Sequence, residues 1–142
     1  MHTPWGGGQP IPNTPFRRVI PADATDNRMV MLAVDMPVGE IVARHTHAHE
    51  DQAIIVVSGT VGATLGDEEF DLTAGSVVFI ARGVPHGHWN EGDDIARVLE
   101  IYTPGGFDLV FEQIGAIFAS GRQPTPDDLH RIDEERRRAS RD

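Results

Sequence analysis

Nine short runs of strand-forming residues, parted by turn signals, limit what this chain can fold into more than any other feature. The runs are "FRRVI" (16–20), "MVMLAVDM" (29–36), "EIVARH" (40–45), "AIIVVS" (53–58), "VGATL" (61–65), "EEFDL" (68–72), "SVVFI" (76–80), "HGHWN" (86–90) and "IARVLEIY" (95–102). Gly39, Gly59, Gly66, Gly75, Gly83 and the "EGDD" at 91–94 fall between them, where reversal of the chain often needs a positive φ. No helical run separates these segments, so the spacing predicts an all-β sandwich or barrel and not a βαβ fold.

After "TPGG" (103–106) the period changes. Phe107, Val110, Phe111, Ile114, Ile117 and Phe118 recur at helical spacing and predict an amphipathic helix over about 107–119, its apolar stripe packed outside the barrel. Thr125-Pro126-Asp127-Asp128 reads as a second helix start, with Thr125 as N-cap, Pro126 in the first turn and Asp128 closing a capping box. That helix has few apolar residues, so it is expected to lie exposed and frayed, or against a partner subunit. The chain of 142 residues divides into a flexible Gly- and Pro-rich arm (1–15), a barrel (16–104) and a helical extension (105–142) around one core.

Composition removes several kinds of chemistry. Without cysteine there are no disulfides, thiolate ligands or cysteine nucleophiles, and without lysine there is no Schiff base. The net charge of −10 sits in the body: residues 1–121 carry sixteen acids against six Arg, while 122–142 balance. Such a surface repels phosphate backbones, so nucleic acid is not an expected partner. No apolar run approaches the roughly 18–20 residues that span a bilayer, and "MHTPWGGGQPIPNTP" lacks the layout of a secretory signal. The expectation is a cytoplasmic protein with no membrane partner.

Five of the seven histidines form two clusters: His45, His47 and His49 before "AIIVVS", and His86 and His88 after "ARGVP". Imidazole is the commonest metal ligand, and positions i and i+2 of a strand face the same way. A third ligand from the next strand and a fourth from a later hairpin would complete a concave site inside a barrel.

Here the chain resembles the cupins. Gly39-x5-His45-x-His47-x4-Gln52-x6-Gly59 is similar to the first cupin motif, and Gly75-x5-Ala81-x-Gly83-x2-His86-x3-Asn90 to the second. The resemblance covers roughly 30–102. It implies an antiparallel jelly-roll β-barrel, to which the helical pattern adds C-terminal helices packed outside. It also implies one divalent metal ion, of Fe, Mn, Ni or Zn type, held by His45, His47, Gln52 and His86.

Two positions depart from the family pattern. Ala81 stands where the second motif has Pro, and Gln52 stands where the first has Glu. Asp51 is adjacent to Gln52, but a slip of one residue on a strand turns a side chain to the other face. Gln52 is therefore the expected inward ligand, with Asp51 as the alternative. His49 reads as a neighbour of the site or a surface residue of the hairpin. An amide ligand leaves the first shell neutral and cannot take a proton, so any base must come from elsewhere.

Glu100, in "RVLEIYTP", shares a strand face with Val98 and Tyr102. If that face lines the pocket, apolar neighbours raise its pKa into the range useful for acid–base work; if the parity is reversed, it is solvated. His88 has the parity of His86 and is the second acid–base candidate, with a solvent-facing rim position as the alternative. Arg44 and Arg82 adjoin the motifs and are candidates for binding a substrate carboxylate, although the parity of Arg44 points it outside.

Taken with the late-strand carboxylate, the four ligands are similar to those of small cupins that convert unsaturated uronates, departing from them at the carboxylate, which is Glu for Asp and about one residue off in position. The expected function is a metal-dependent enzyme acting on a small oxygen-rich substrate by Lewis-acid, non-redox chemistry of isomerase, cyclase or lyase type. Two alternatives stand beside it: a metal-dependent dioxygenase of the quercetinase-like small cupins, and a non-catalytic metal- or ligand-binding cupin. A homodimer is expected, because Trp5, Ile11 and Phe16 give the arm more apolar surface than a free tail needs. An exchanged arm would account for them.

Overall fold

The computed structural model describes residues 1–139. Its strands are β1 (Gln9–Pro10), β2 (Phe16–Ile20), β3 (Val30–Met36), β4 (Ile41–His45), β5 (Asp51–Ser58), β6 (Val61–Leu65), β7 (Glu68–Leu72), β8 (Val77–Ile80), β9 (His86–Trp89) and β10 (Ala96–Thr103). Two helices follow, α1 (Asp108–Ala119) and α2 (Pro126–Ala139). All nine expected strands are present within a residue or two of their expected bounds.

The strands form two antiparallel sheets, ordered β1-β2-β3-β10-β5-β8 and β4-β9-β6-β7. They face one another as a jelly roll, and alternate residues point between them. Val34, Met36, Ile54, Val56, Val78, Ile80, Ala96 and Val98 from the larger sheet meet Val61, Ala63 and Leu72 from the smaller. Each large aliphatic side chain buried here contributes on the order of 1.5–3 kcal/mol. Gly59 makes the tight link from β5 to β6 at φ 83°, and a Cβ there would stand 2.9 Å from the Ala96 Cα.

The inward rows change character along their length. On β5 the row runs Val56, Ile54, Gln52; on β10 it runs Ala96, Val98, Glu100, Tyr102. One end of the barrel is therefore apolar, and the other collects the polar groups. A second cluster of Ile11, Val30, Leu32 and Tyr102, with Phe16, Phe107 and Phe111 against it, closes that polar end. It brings in α1, whose Phe111 stacks on Phe16 at 4.2 Å between centroids.

The extremities are better anchored than the sequence implied. Residues 1–15 read as a flexible arm, yet β1 pairs with β2 of the same chain and Ile11 is 1% exposed. The Trp5 ring takes cation–π contacts from the guanidinium groups of Arg17 at 5.8 Å and Arg97 at 5.6 Å. The second helix has the expected capping box: the Thr125 amide donates to Asp128 Oδ2 at 2.9 Å, and the Asp128 amide to Thr125 Oγ1 at 3.2 Å. It is docked, with Ile132 buried against Val110 and Ile117 of α1. Among the described residues no helix is long and apolar enough to cross a membrane.

Candidate metal centre and its buried carboxylate

His45 ends β4 and pairs in register with His86 at the start of β9, so two ligands face each other across one ladder. His47 sits in the loop that joins β4 to β5. The metal-binding nitrogens of His45, His47 and His86 all lie within 4.8 Å of one another. His45 Nε2 and His47 Nε2 are 3.2 Å apart.

The backbone fixes two of the three tautomers. His45 Nδ1 donates to the Ala43 carbonyl at 2.7 Å, and His86 Nδ1 to the Val84 carbonyl at 2.9 Å. Each ring then turns a lone pair on Nε2 toward the cluster. Burial, with the neighbouring imidazoles adding to it, holds His47 down to about 3 and pushes His86 below its ordinary value. Burial thus favours the neutral, ligating form of His47 and His86.

Gln52 lies inward on β5, 2% exposed, and its side chain reaches His47. Its Nε2 donates to the Tyr102 hydroxyl at 3.1 Å, and Tyr102 donates to Glu100 Oε2 at 2.8 Å. That chain leaves Gln52 Oε1 as the free end of the amide. Gln52 Oε1 and His86 Nε2 are buried with no hydrogen-bond partner among the described residues. Buried polar atoms left without partners are costly, and a cation among three imidazoles and an amide oxygen would satisfy them together. The donor set therefore fits a divalent ion.

Glu100 is on the inward face of β10. Desolvation pushes its carboxyl up to about 7, with the Tyr102 hydrogen bond working against the rise. His88 is inward as well: its Nε2 stands 3.5 Å from Glu100 Oε1, and burial holds it down to about 4. A linked row thus runs Gln52, Tyr102, Glu100, His88 from the imidazole cluster into the barrel. Phe107 covers the cluster from outside, edge-on to His47 at 4.4 Å and stacked on Tyr102 at 4.5 Å between centroids.

The other candidates lie away from the cluster. Asp51 accepts from the Arg82 amide at 2.9 Å and from Arg82 Nε at 3.2 Å, so each holds the other at the surface. Arg44 donates to the Gly66 carbonyl at 2.7 Å. His49 Nε2 is 3.4 Å from Asp133 Oδ1 on α2 and does not join the triad. Asn90, the last residue of the second motif, donates to the Met36 and Asp94 carbonyls and so fastens the turn after β9.

Sequence reading missed three contributors: Phe107, Glu50 and Arg136. Glu50 is 2% exposed and pairs with Arg136 of α2. Parity shared with Gln52 was the available signal for Glu50. No sequence signal pointed to Arg136, because its contact depends on how α2 docks.

Comparison with known proteins gives the same frame. The family model of the cupin domain matches residues 32–102. An uncharacterized protein of Streptomyces coelicolor is 35% identical over 66 residues, which is 46% of this chain and 61% of that protein. This chain thus spans under two thirds of that relative. Among solved structures, KdgF from Halomonas sp. superposes with a TM-score of 0.58 at 20% identity, over 66% of this chain and 81% of that one. A predicted oxalate decarboxylase from Thermotoga maritima does so with a TM-score of 0.60 at 20% identity, over 63% and 79%. At such identities these two share its fold.

Proposed function

The chain belongs to the cupin domain family, and on that premise we propose a metal-dependent enzyme that acts on a small oxygen-rich substrate by Lewis-acid, non-redox chemistry. The observation that carries this reading is the buried row from Gln52 through Tyr102 to Glu100, which sets a carboxyl of raised pKa beside a neutral donor set.

His45, His47 and His86, through Nε2, and Gln52, through Oε1, would hold one divalent ion of Fe, Mn, Ni or Zn type. Bound there, it would polarise a carbonyl, carboxylate or hydroxyl oxygen of the substrate, with none of its charge cancelled by a ligand. Glu100 then serves as the acid–base group, since a pKa near the working pH lets it both take and return a proton. Tyr102 orients that carboxylate with one hydroxyl while fixing the amide of Gln52. His88, neutral and next to Glu100, is the second proton-handling group. Phe107 keeps water off His47 and Tyr102.

The names of the two fold neighbours agree with this reading to the extent that one is a predicted oxalate decarboxylase, a protein named for a small carboxylate. The test is proton exchange. Metal-loaded protein is incubated in D2O with 2-hydroxy acids, 2-keto acids and unsaturated uronates, and deuterium at carbon next to a carbonyl is read by NMR. Exchange that depends on metal and on Glu100 supports the proposal. Turnover that consumes oxygen in step with substrate moves the protein to the dioxygenase alternative, and no metal uptake at all moves it to a non-catalytic cupin.

A further inference from the structure

The loop between β4 and β5 carries His47 and is gripped from two sides. On one side the turn before β9 holds it: the Gly83 amide donates to the His47 carbonyl at 2.7 Å, and Arg82 binds Asp51. The other side is held by α2, which belongs to the C-terminal extension beyond the matched family region of 32–102.

The central contact from α2 is the ion pair of Arg136 with Glu50. The Glu50 side chain is 1% exposed and that of Arg136 16%. A carboxylate so far from water needs its partner, because an unpaired buried charge is strongly disfavoured. The Arg136 guanidinium also lies 5.5 Å from the centre of the Phe107 ring, which in turn packs edge-on against His47. Around this pair Asp133 and Arg137 of α2 engage His49, and Ile132 buries the helix against α1. Two positions of the loop that carries His47, His49 and Glu50, thus contact α2 directly.

We infer that Arg136 is a positioning residue for the metal centre: through Glu50 and Phe107 it holds the His47 loop in ligating geometry, so α2 sets how tightly the site binds its ion. The inference rests on the metal reading above. It makes the C-terminal extension part of the site's construction although none of its described residues is among the proposed ligands. Groups that hydrogen-bond a metal ligand directly change affinity by about 10–100-fold when lost, which bounds the effect of Arg136, one contact further out.

The experiment is a titration of metal-free protein with Co2+ alone, followed by visible absorption, on the full chain and well below its unfolding temperature. The band position reports ligand geometry and the titration reports affinity, neither of which a loss of stability alone would move. Arg136→Met is expected to weaken binding about tenfold, the low end of that range, and to shift the band, while Arg136→Lys, which keeps the ion pair, stays within about threefold of the wild type. Glu50→Gln, nearly isosteric, is expected to fold and to weaken binding by a smaller factor; it decides the matter if Arg136→Met does not fold. Unchanged affinity and band in folded Arg136→Met, or in Glu50→Gln if only that folds, overturns the inference. A wild type that binds neither Co2+ nor Zn2+ overturns the metal reading instead.

Discussion

Tyr102 donates its hydroxyl to Glu100 at 2.8 Å while both side chains are 2% exposed. The pair is alternate on one strand, so the geometry is built into β10 and needs no loop to hold it. It joins the group that handles protons to the group that orients the amide ligand, because the same hydroxyl accepts from Gln52. A change at any of the three is therefore felt by the others.

Glu100→Gln separates proton handling from metal binding. The amide keeps the volume and can still accept from Tyr102, so metal content should match the wild type. Turnover should fall by about 10²–10⁴-fold, the usual worth of a positioned acid or base. Undiminished turnover with full metal content would remove Glu100 from the mechanism.

Glu100 also gives the metal-free protein a pH-dependent stability with a definite sign. Its carboxyl is raised from 4.5 in the unfolded chain to about 7 in the fold. The folded state then holds a proton that the unfolded state has released between those values. Its contribution is complete below about pH 4.5, declines as pH rises toward 7, and is lost above it. The span amounts to about 3 kcal/mol. Urea unfolding of wild type and Glu100→Gln at pH 5 and pH 8 should show the wild type losing ground to the variant at the higher pH. A constant difference would mean that the carboxyl is not raised.

The strands, the first helix and the paired cupin motifs were legible in the sequence because each depends on local signals: period, turn residues and fixed spacing. The inward position of Glu100 was half legible. The grouping Val98, Glu100, Tyr102 follows from alternation, but which group faces inward is set by pairing with β3 and β5, and the bulge at Arg97/Val98 shifts that register. His88 was open for the same reason, and β9 places it beside Glu100. The hold of α2 on the His47 loop was not legible at all. Arg136 is one of three consecutive arginines in a helix with a charged sequence, and only the docking of Ile132 selects it to meet Glu50.

The outer face of the six-stranded sheet gives the expected homodimer a place. Val57, Val77 and Phe79 point outward there at 43%, 60% and 62% exposure, beside half-buried Ile55, Leu99 and Ile101. The first three present roughly 300 Å² of apolar surface, against about 800 Å² per partner in a standard interface. Their half-buried neighbours and the arm, packed on the same face near Leu99, extend the surface toward that size. We propose that a second copy covers this face. Light scattering should give the mass of two chains for the wild type and of one for Phe79→Glu; a wild type of single-chain mass would exclude the dimer.

Gln52→Glu tests what the neutral ligand does. A carboxylate at this position would cancel one unit of the ion's charge and bind it by charge as well as by lone pair. Divalent affinity should rise by at least about tenfold, which is about 1.4 kcal/mol. Polarisation of the substrate should weaken, since a partly neutralised ion is a poorer Lewis acid. The new carboxylate would also lose the donor that Gln52 offers to Tyr102, and would stand in the same buried row as Glu100. A second carboxylate in contact with the same hydroxyl disfavours ionisation of Glu100, so the later of the two proton losses moves to higher pH. The variant should thus hold metal more tightly, turn over more slowly and shift the rising limb of its pH–rate profile upward. Tighter binding with faster turnover would show that the uncancelled charge is not what the chemistry uses.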